Sequence, residues 1–242
     1  MSKSSTTYII AGASPDLLGG DQPIFWFDAG LGITKDGGDD MISWADQSGN
    51  SRDVTDISSP SHGPSRYYST PEIGFLDSRQ GGELAFASTI SSGTFGIHMV
   101  VSLRGGGTGP ILRGEDSPGN TDEIGFYSVL PWDPPYFFAV AIGGISDIWP
   151  IGGVEIMNNY FVYSVVRGPL NTVNVWKNGI PLEPDEGTIF SEGNIQIKRI
   201  GGPPGLLSGE WNRMRIKEIV AYRSGSNRVS AENYLNTKYG IF

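Results

Sequence analysis

The sequence predicts an all-β fold: antiparallel strands in the size class of sandwiches and barrels, finished by one short C-terminal helix. Apolar residues recur at every second position along much of the chain, the spacing of a strand that buries one face. The 35 Gly and 16 Pro make up about a fifth of the 242 residues and are spread along the chain, which suits many short strands better than long helices. Turn signals follow one another too closely for crossover helices, so neighbouring strands pair antiparallel. A single domain is the expectation at this length.

Residues 1 to 22 are polar and glycine-rich, with only Tyr8-Ile9-Ile10 able to form a strand, and read as an N-terminal arm. A polar terminus stays in place only when something holds it, and the expected holder is a neighbouring subunit or the chain's own domain, with the arm folded back on it. Residues 23 to 242 read as the sandwich domain. "FGIHMVVSL" sets Phe95, Ile97, Met99, Val101 and Leu103 on one face and Gly96, His98, Val100 and Ser102 on the other, as a half-buried strand requires. "NYFVYSVV" repeats the pattern with Phe161, Tyr163 and Val165. In "VNVWKNGIPLEPDEG", Val173 and Val175 alternate with Asn174 and Trp176 up to Asn178-Gly179, the residues of a type I′ turn, whose two central positions need positive φ. The chain returns through Ile180 and Leu182, which leaves "LEPDEG" as a loop. "NIQIKRI" and "RMRIKEIVAY" supply two more strands. "SAENYLNTKYGIF" is helical: Ser230 suits the N-cap, Glu232 the first turn, Lys238 the last and Gly240 the exit, with Tyr234 and Leu235 packing on the sheet.

A net charge of −9 and a pI near 4.7 speak against nucleic acid, whose binding needs clustered Lys and Arg. With no Cys there is no disulfide, thiolate zinc site or thiol nucleophile. The longest apolar stretch, Tyr136 to Ile145, is about half a membrane span and holds two Gly, so no membrane insertion is expected. The first twenty residues carry one Lys and too short an apolar patch for a secretory signal.

Several of these stretches resemble the concanavalin A-like or laminin G-like jelly rolls of bacteria and phages. The resemblance lies in the "NG" hairpin, the strand end Ile200-Gly201-Gly202, the strand "RIKEIVAYRSG" and the closing "NYLNTKYGI". It lies also in "FWFDAGLGIT" and in Trp44, Asp46, Ser48, Gly49 and Asn50 of "ISWADQSGN". The resemblance implies an antiparallel two-sheet jelly-roll sandwich. It implies little about function, because this sandwich serves lectins, hydrolases, lyases and virion proteins.

Sandwich hydrolases place two or three carboxylates at alternate positions of one strand, so that acid and nucleophile face one sugar. Glu183-Pro184-Asp185-Glu186 begins that way, but Gly187 and Thr188 stand where the last Glu belongs, and Pro184 would interrupt the ladder. Glu115-Asp116 and Asp122-Glu123 are adjacent pairs, which on a strand point to opposite faces. A Ser-His-Asp relay would have to use His62 or His98. No catalytic residue is therefore assigned. For calcium, Asp36, Asp39 and Asp40 lie within five residues, and Asp46, Ser48 and Asn50 have one-three-five spacing without the Gly and Glu of an EF-hand. For a sugar, Trp132, Tyr136 and Trp149 stand beside Pro-rich turns where rings could form an exposed platform, whereas Trp26, Trp44 and Trp176 belong to strand motifs and read as core.

The reading that follows is a non-enzymatic virion protein, a capsid decoration or tail component, docking by its arm to other virion proteins or to copies of itself. The alternative is a lectin or adhesion module at a cell surface or outside it, holding a surface glycan. A glycoside hydrolase or polysaccharide lyase comes last.

Overall fold

The computed structural model describes residues 21–36, 40–57, 66–67, 73–75, 82–103, 109–114, 122–130, 133–153, 156–184, 190, 193–201 and 214–242. The strands among them are β1 (Phe25–Asp28), β2 (Ile33–Lys35), β3 (Met41–Trp44), β4 (Val54–Asp56), β5 (Arg66–Tyr67), β6 (Ile73–Phe75), β7 (Glu83–Ser92), β8 (Phe95–Leu103) and β9 (Gly109–Arg113). They continue with β10 (Glu123–Leu130), β11 (Asp133–Ile142), β12 (Ile145–Gly152), β13 (Tyr160–Arg167), β14 (Val173–Lys177), β15 (Ile180–Leu182), β16 (Ile195–Gly201) and β17 (Met214–Tyr222), and the chain closes with helix α1 (Arg228–Tyr239). One sheet runs β15-β14-β13-β8-β17-β6-β5, with β1 also paired to β17; the other runs β12-β11-β10-β9-β16-β7-β4-β3-β2. The strand pairs are antiparallel, and the architecture is the two-sheet jelly-roll sandwich with a short C-terminal helix that the sequence predicts. The arm assigned to residues 1 to 22 lies outside the described residues except for Asp21 and Gln22.

Alternation builds the core between the sheets. On β8 the residues Phe95, Ile97, Met99, Val101 and Leu103 all enter it, as do Tyr163 and Val165 on β13 and Val173 and Val175 on β14. Two aromatic clusters hold the sheets together. Phe27 lies 5.0 Å from Trp44 and 5.7 Å from Phe86 between ring centroids; elsewhere Tyr163 stacks 4.9 Å from Phe138 with Phe126 edge-on at 5.5 Å. Aromatic pairs at these separations add to the area they bury.

The expectation that β8 is half-buried does not hold: all nine of its residues are buried. Helix α1 lies across the outer face of the first sheet and covers the second set of side chains. The register makes that outer face a set of rows. Trp26 is opposite Val220, Val220 opposite His98, His98 opposite Ser164 and Ser164 opposite Trp176; in the next row Asp28 is opposite Glu218 and Val100 opposite Val162. Ala231 and Leu235 of α1 fill against Tyr222, Val100 and Val162.

The helix begins two residues before the predicted Ser230, with Asn227 at its N-cap position and the Ala231 N–H donating to the Asn227 carbonyl over 2.9 Å. Gly225 lets the preceding loop close against β13, where a Cβ would overlap the Val166 side chain. Gly240 takes φ 62°, and its N–H caps Asn236 O at 2.7 Å, as predicted for the exit. Asn178 and Gly179 have φ of 52° and 75°, the type I′ signature.

Candidate functional site

Two members of the predicted aromatic platform are core residues. Tyr136 is 0% and Trp149 1% exposed, so neither can offer a ring to a ligand. The segment read as a Pro-rich turn is the edge strand β12, joined to β11 by Gly143-Gly144 with φ of 60° and 83°. Asp147, Trp149 and Ile151 alternate inward along it and Pro150 points out, at an edge where a missing N–H is tolerated. Trp132 lies outside the described residues.

The acidic candidates are local braces. Asp36 and Asp40 face each other across the β2–β3 turn, where the Asp40 N–H donates to Asp36 Oδ1 over 3.0 Å; Asp39 lies outside the described residues. Among the described residues no three His, Asp or Glu converge as metal ligands. The Asp46 carboxylate accepts from the N–H groups of Trp26, Ser48 and Arg52 and from Ser48 Oγ, all within 3.0 Å. Asn50 Nδ2 donates to Pro23 O and Ile24 O. The "WADQSGN" motif therefore clasps the entry to β1, and the oxygens that a cation would need are already bonded.

Glu183 is exposed in the loop after β15, while Asp185, Glu186, Glu115, Asp116 and His62 lie outside the described residues. His98 is fully buried, with Nδ1 2.9 Å from Ser164 Oγ, and burial beside the Arg228 charge lowers its pKa to about 3. A neutral imidazole sealed under a helix cannot exchange protons with a substrate.

Among the described residues, one pair of carboxylates stands side by side on directly paired strands. Asp28 and Glu218 are register partners, and Lys238 Nζ bridges them at 2.5 Å and 2.7 Å. Trp26 Nε1 donates to Glu218 Oε1 and Tyr239 OH to Glu218 Oε2, each over 2.7 Å, while Gly30 N–H donates to Asp28 Oδ1 over 2.8 Å. Burial pushes the Glu218 carboxyl above its usual range, Lys238 opposes this and Asp28 adds to it. The Tyr239 hydroxyl is driven well above the usual phenol range by burial and by Glu218. Every oxygen of this pair is engaged by the sheet or by α1, so the cluster fastens the helix and leaves no face for a saccharide.

The open concavity lies elsewhere, at one end of the sandwich. It is a cleft of about 790 Å³, within the ~300–1,000 Å³ of small-molecule sites. Four segments line it: Ser91 to Thr94 at the β7–β8 turn, Pro169 and Asn171 between β13 and β14, Gly193-Asn194 before β16, and Arg223 after β17. Asn171 takes φ 59° in the turn, and its Oδ1 accepts from Arg167 Nη2 over 3.0 Å, while its amide NH₂ has no hydrogen bond to a described residue. Arg167 is buried beneath and also donates to Gly193 O. Asp122 faces its charge and accepts from Gly143 and Gln196 N–H, each over 2.6 Å. Burial raises the Asp122 pKa, and those two N–H groups and Arg167 pull it back.

On the opposite wall, Asn194 Nδ2 donates to Ser91 Oγ over 2.9 Å, so Asn194 Oδ1 remains an acceptor. Thr94 Oγ1 donates to Arg223 O over 2.8 Å and ties that strand end to the turn. Hydroxyls, amides and a guanidinium thus line most of the space beside Pro169, an arrangement suited to a ligand rich in hydroxyl groups. None of these residues was a candidate from the sequence. They carry no motif, and strand order and register bring the four segments to one end.

No protein-family model and no curated protein matches the chain. Solved structures do match. Trypanosoma rangeli sialidase, alone or in complex with sialic acid, superposes with a TM-score of 0.59 at 15% identity, over 90% of this chain and 33% of that one. The binding domain of botulinum neurotoxin DC, in complex with rat synaptotagmin II, gives 0.56 at 10% identity over 90% and 52%. Botulinum neurotoxin type C, whose cell entry is dependent upon interaction with two ganglioside molecules, gives 0.55 at 12% over 88% and 51%. The chain spans about a third to a half of these proteins, and at such identities the likeness is one of fold.

Proposed function

We propose that the chain is a non-catalytic glycan-binding module of the concanavalin A-like or laminin G-like kind, and that the cleft between Ser91–Thr94, Asn171, Asn194 and Arg223 is its site. The observation that carries this is the lining: amide and hydroxyl groups, some of them fixed by bonds behind them, as Arg167 fixes Asn171. Prepared donors and acceptors of this kind hold sugar hydroxyls without ordering cost at the moment of binding. The fold neighbours that handle sialic acid and gangliosides lend the same reading support. No turnover is assigned, because the converging pair Asp28 and Glu218 is neutralised by Lys238 and covered by α1.

The virion role expected from the sequence would dock through residues 1 to 22, and no contact among the described residues favours it over adhesion at a cell surface. A glycan array probed with the full chain tests the proposal. Asn171→Asp keeps the oxygen that Arg167 holds and removes the NH₂, so affinity falls roughly tenfold or more while the unfolding midpoint stays in place. Undiminished binding by that variant and by Asn194→Ala would remove the cleft from consideration.

A further inference from the structure

Arg223 differs from the other described lining residues in charge, and the Asp21 carboxylate one residue along is taken up by Ser224 Oγ over 3.1 Å. Arg223 is exposed, its carbonyl is held by Thr94, and its guanidinium has no ion pair or hydrogen bond with any described residue. Arg167 below it is already balanced by Asp122. No acidic side chain stands among the described lining residues, although acids outnumber bases by 26 to 17 in the whole sequence. Among the described lining residues the one charge is therefore positive, on a molecule of net charge −9, and a guanidinium so placed would attract an anion. A guanidinium offers a planar fork that fits a carboxylate with two parallel hydrogen bonds. The Asn171 NH₂ supplies a second donor, and Asn194 Oδ1 an acceptor for a hydroxyl.

We infer that the cleft selects saccharides bearing a carboxylate, with Arg223 pairing the acid group and Asn171 and Asn194 holding neighbouring hydroxyls. This rests on the proposed glycan-binding function and adds to it the chemical class of the ligand.

The test uses the full chain in titration calorimetry against trigalacturonate, a hyaluronan tetrasaccharide and sialyllactose, each beside its carboxyl-reduced form, with lactose and maltotriose as neutral sugars. Carboxylated members are expected to bind roughly tenfold to a hundredfold more tightly than their reduced forms, with affinity falling as salt rises. Arg223→Gln should abolish that preference and Arg223→Lys restore part of it, with unfolding midpoints unchanged. If carboxylated and reduced forms bind alike, and Arg223→Gln matches the wild type while Asn171→Asp weakens both, the charge selectivity is wrong and the cleft still holds sugar. If no member binds, charged or neutral, both readings fall.

Discussion

Asp46 shows how much one side chain can organise and how its sequence context can mislead. Its spacing with Ser48 and Asn50 suggests a calcium loop, yet its carboxylate accepts four hydrogen bonds that tie the loop to Trp26 at the start of β1. Asp46→Ala would leave those donors unpaired in a partly buried place, and a loss of about 2–4 kcal/mol is expected in urea unfolding. Added calcium should leave the midpoint of the wild type where it is; a clear rise would restore the metal reading. Trp149 and Tyr136 carry the same lesson. Proline next to an aromatic ring suggests an exposed turn, but at a sheet edge proline is compatible with a strand, and strand parity then sends the rings inward.

At the scale of elements, α1 decides what the outer face of the first sheet can be. Its apolar residues were legible from spacing, and Lys238 in its last turn was expected to answer the helix dipole. The structure gives that lysine a further task, to neutralise Asp28 and Glu218 beneath the helix. Lys238→Met leaves two adjacent carboxylates without their cation, and because the Lys238 side chain is 31% exposed the cost is nearer about 2–3 kcal/mol than that of a fully buried pair. Without the lysine that opposes it, the upward push of burial and of Asp28 on the Glu218 carboxyl is larger, so the folded variant binds more protons than the unfolded chain. Its deficit should grow as pH rises through that window and shrink at acid pH, which denaturant midpoints at a series of pH values will register.

For the molecule as a whole, His98 links pH to global stability. It sits between sheet and helix, and its pKa in the fold is lowered to about 3 from 6.5. The unfolded chain then takes up a proton that the folded one refuses. The stability tied to this residue is complete above pH 6.5 and is lost toward pH 3, by up to about 1.4 kcal/mol per pH unit. His98→Asn should flatten that part of the profile, and an unchanged slope would show that other groups govern it. The sequence by itself determined the antiparallel all-β character, the strands β8, β13, β14, β16 and β17, the Asn178-Gly179 hairpin, the inward face of β8 and the presence of a closing helix, because each follows from neighbours a few residues apart. Only the tertiary structure decided that β8 is buried on both faces, that the acids at positions 28 and 218 meet under Lys238, and that four distant turns share one cleft. Those outcomes depend on strand order and register, where a shift of one residue would carry each side chain to the opposite face.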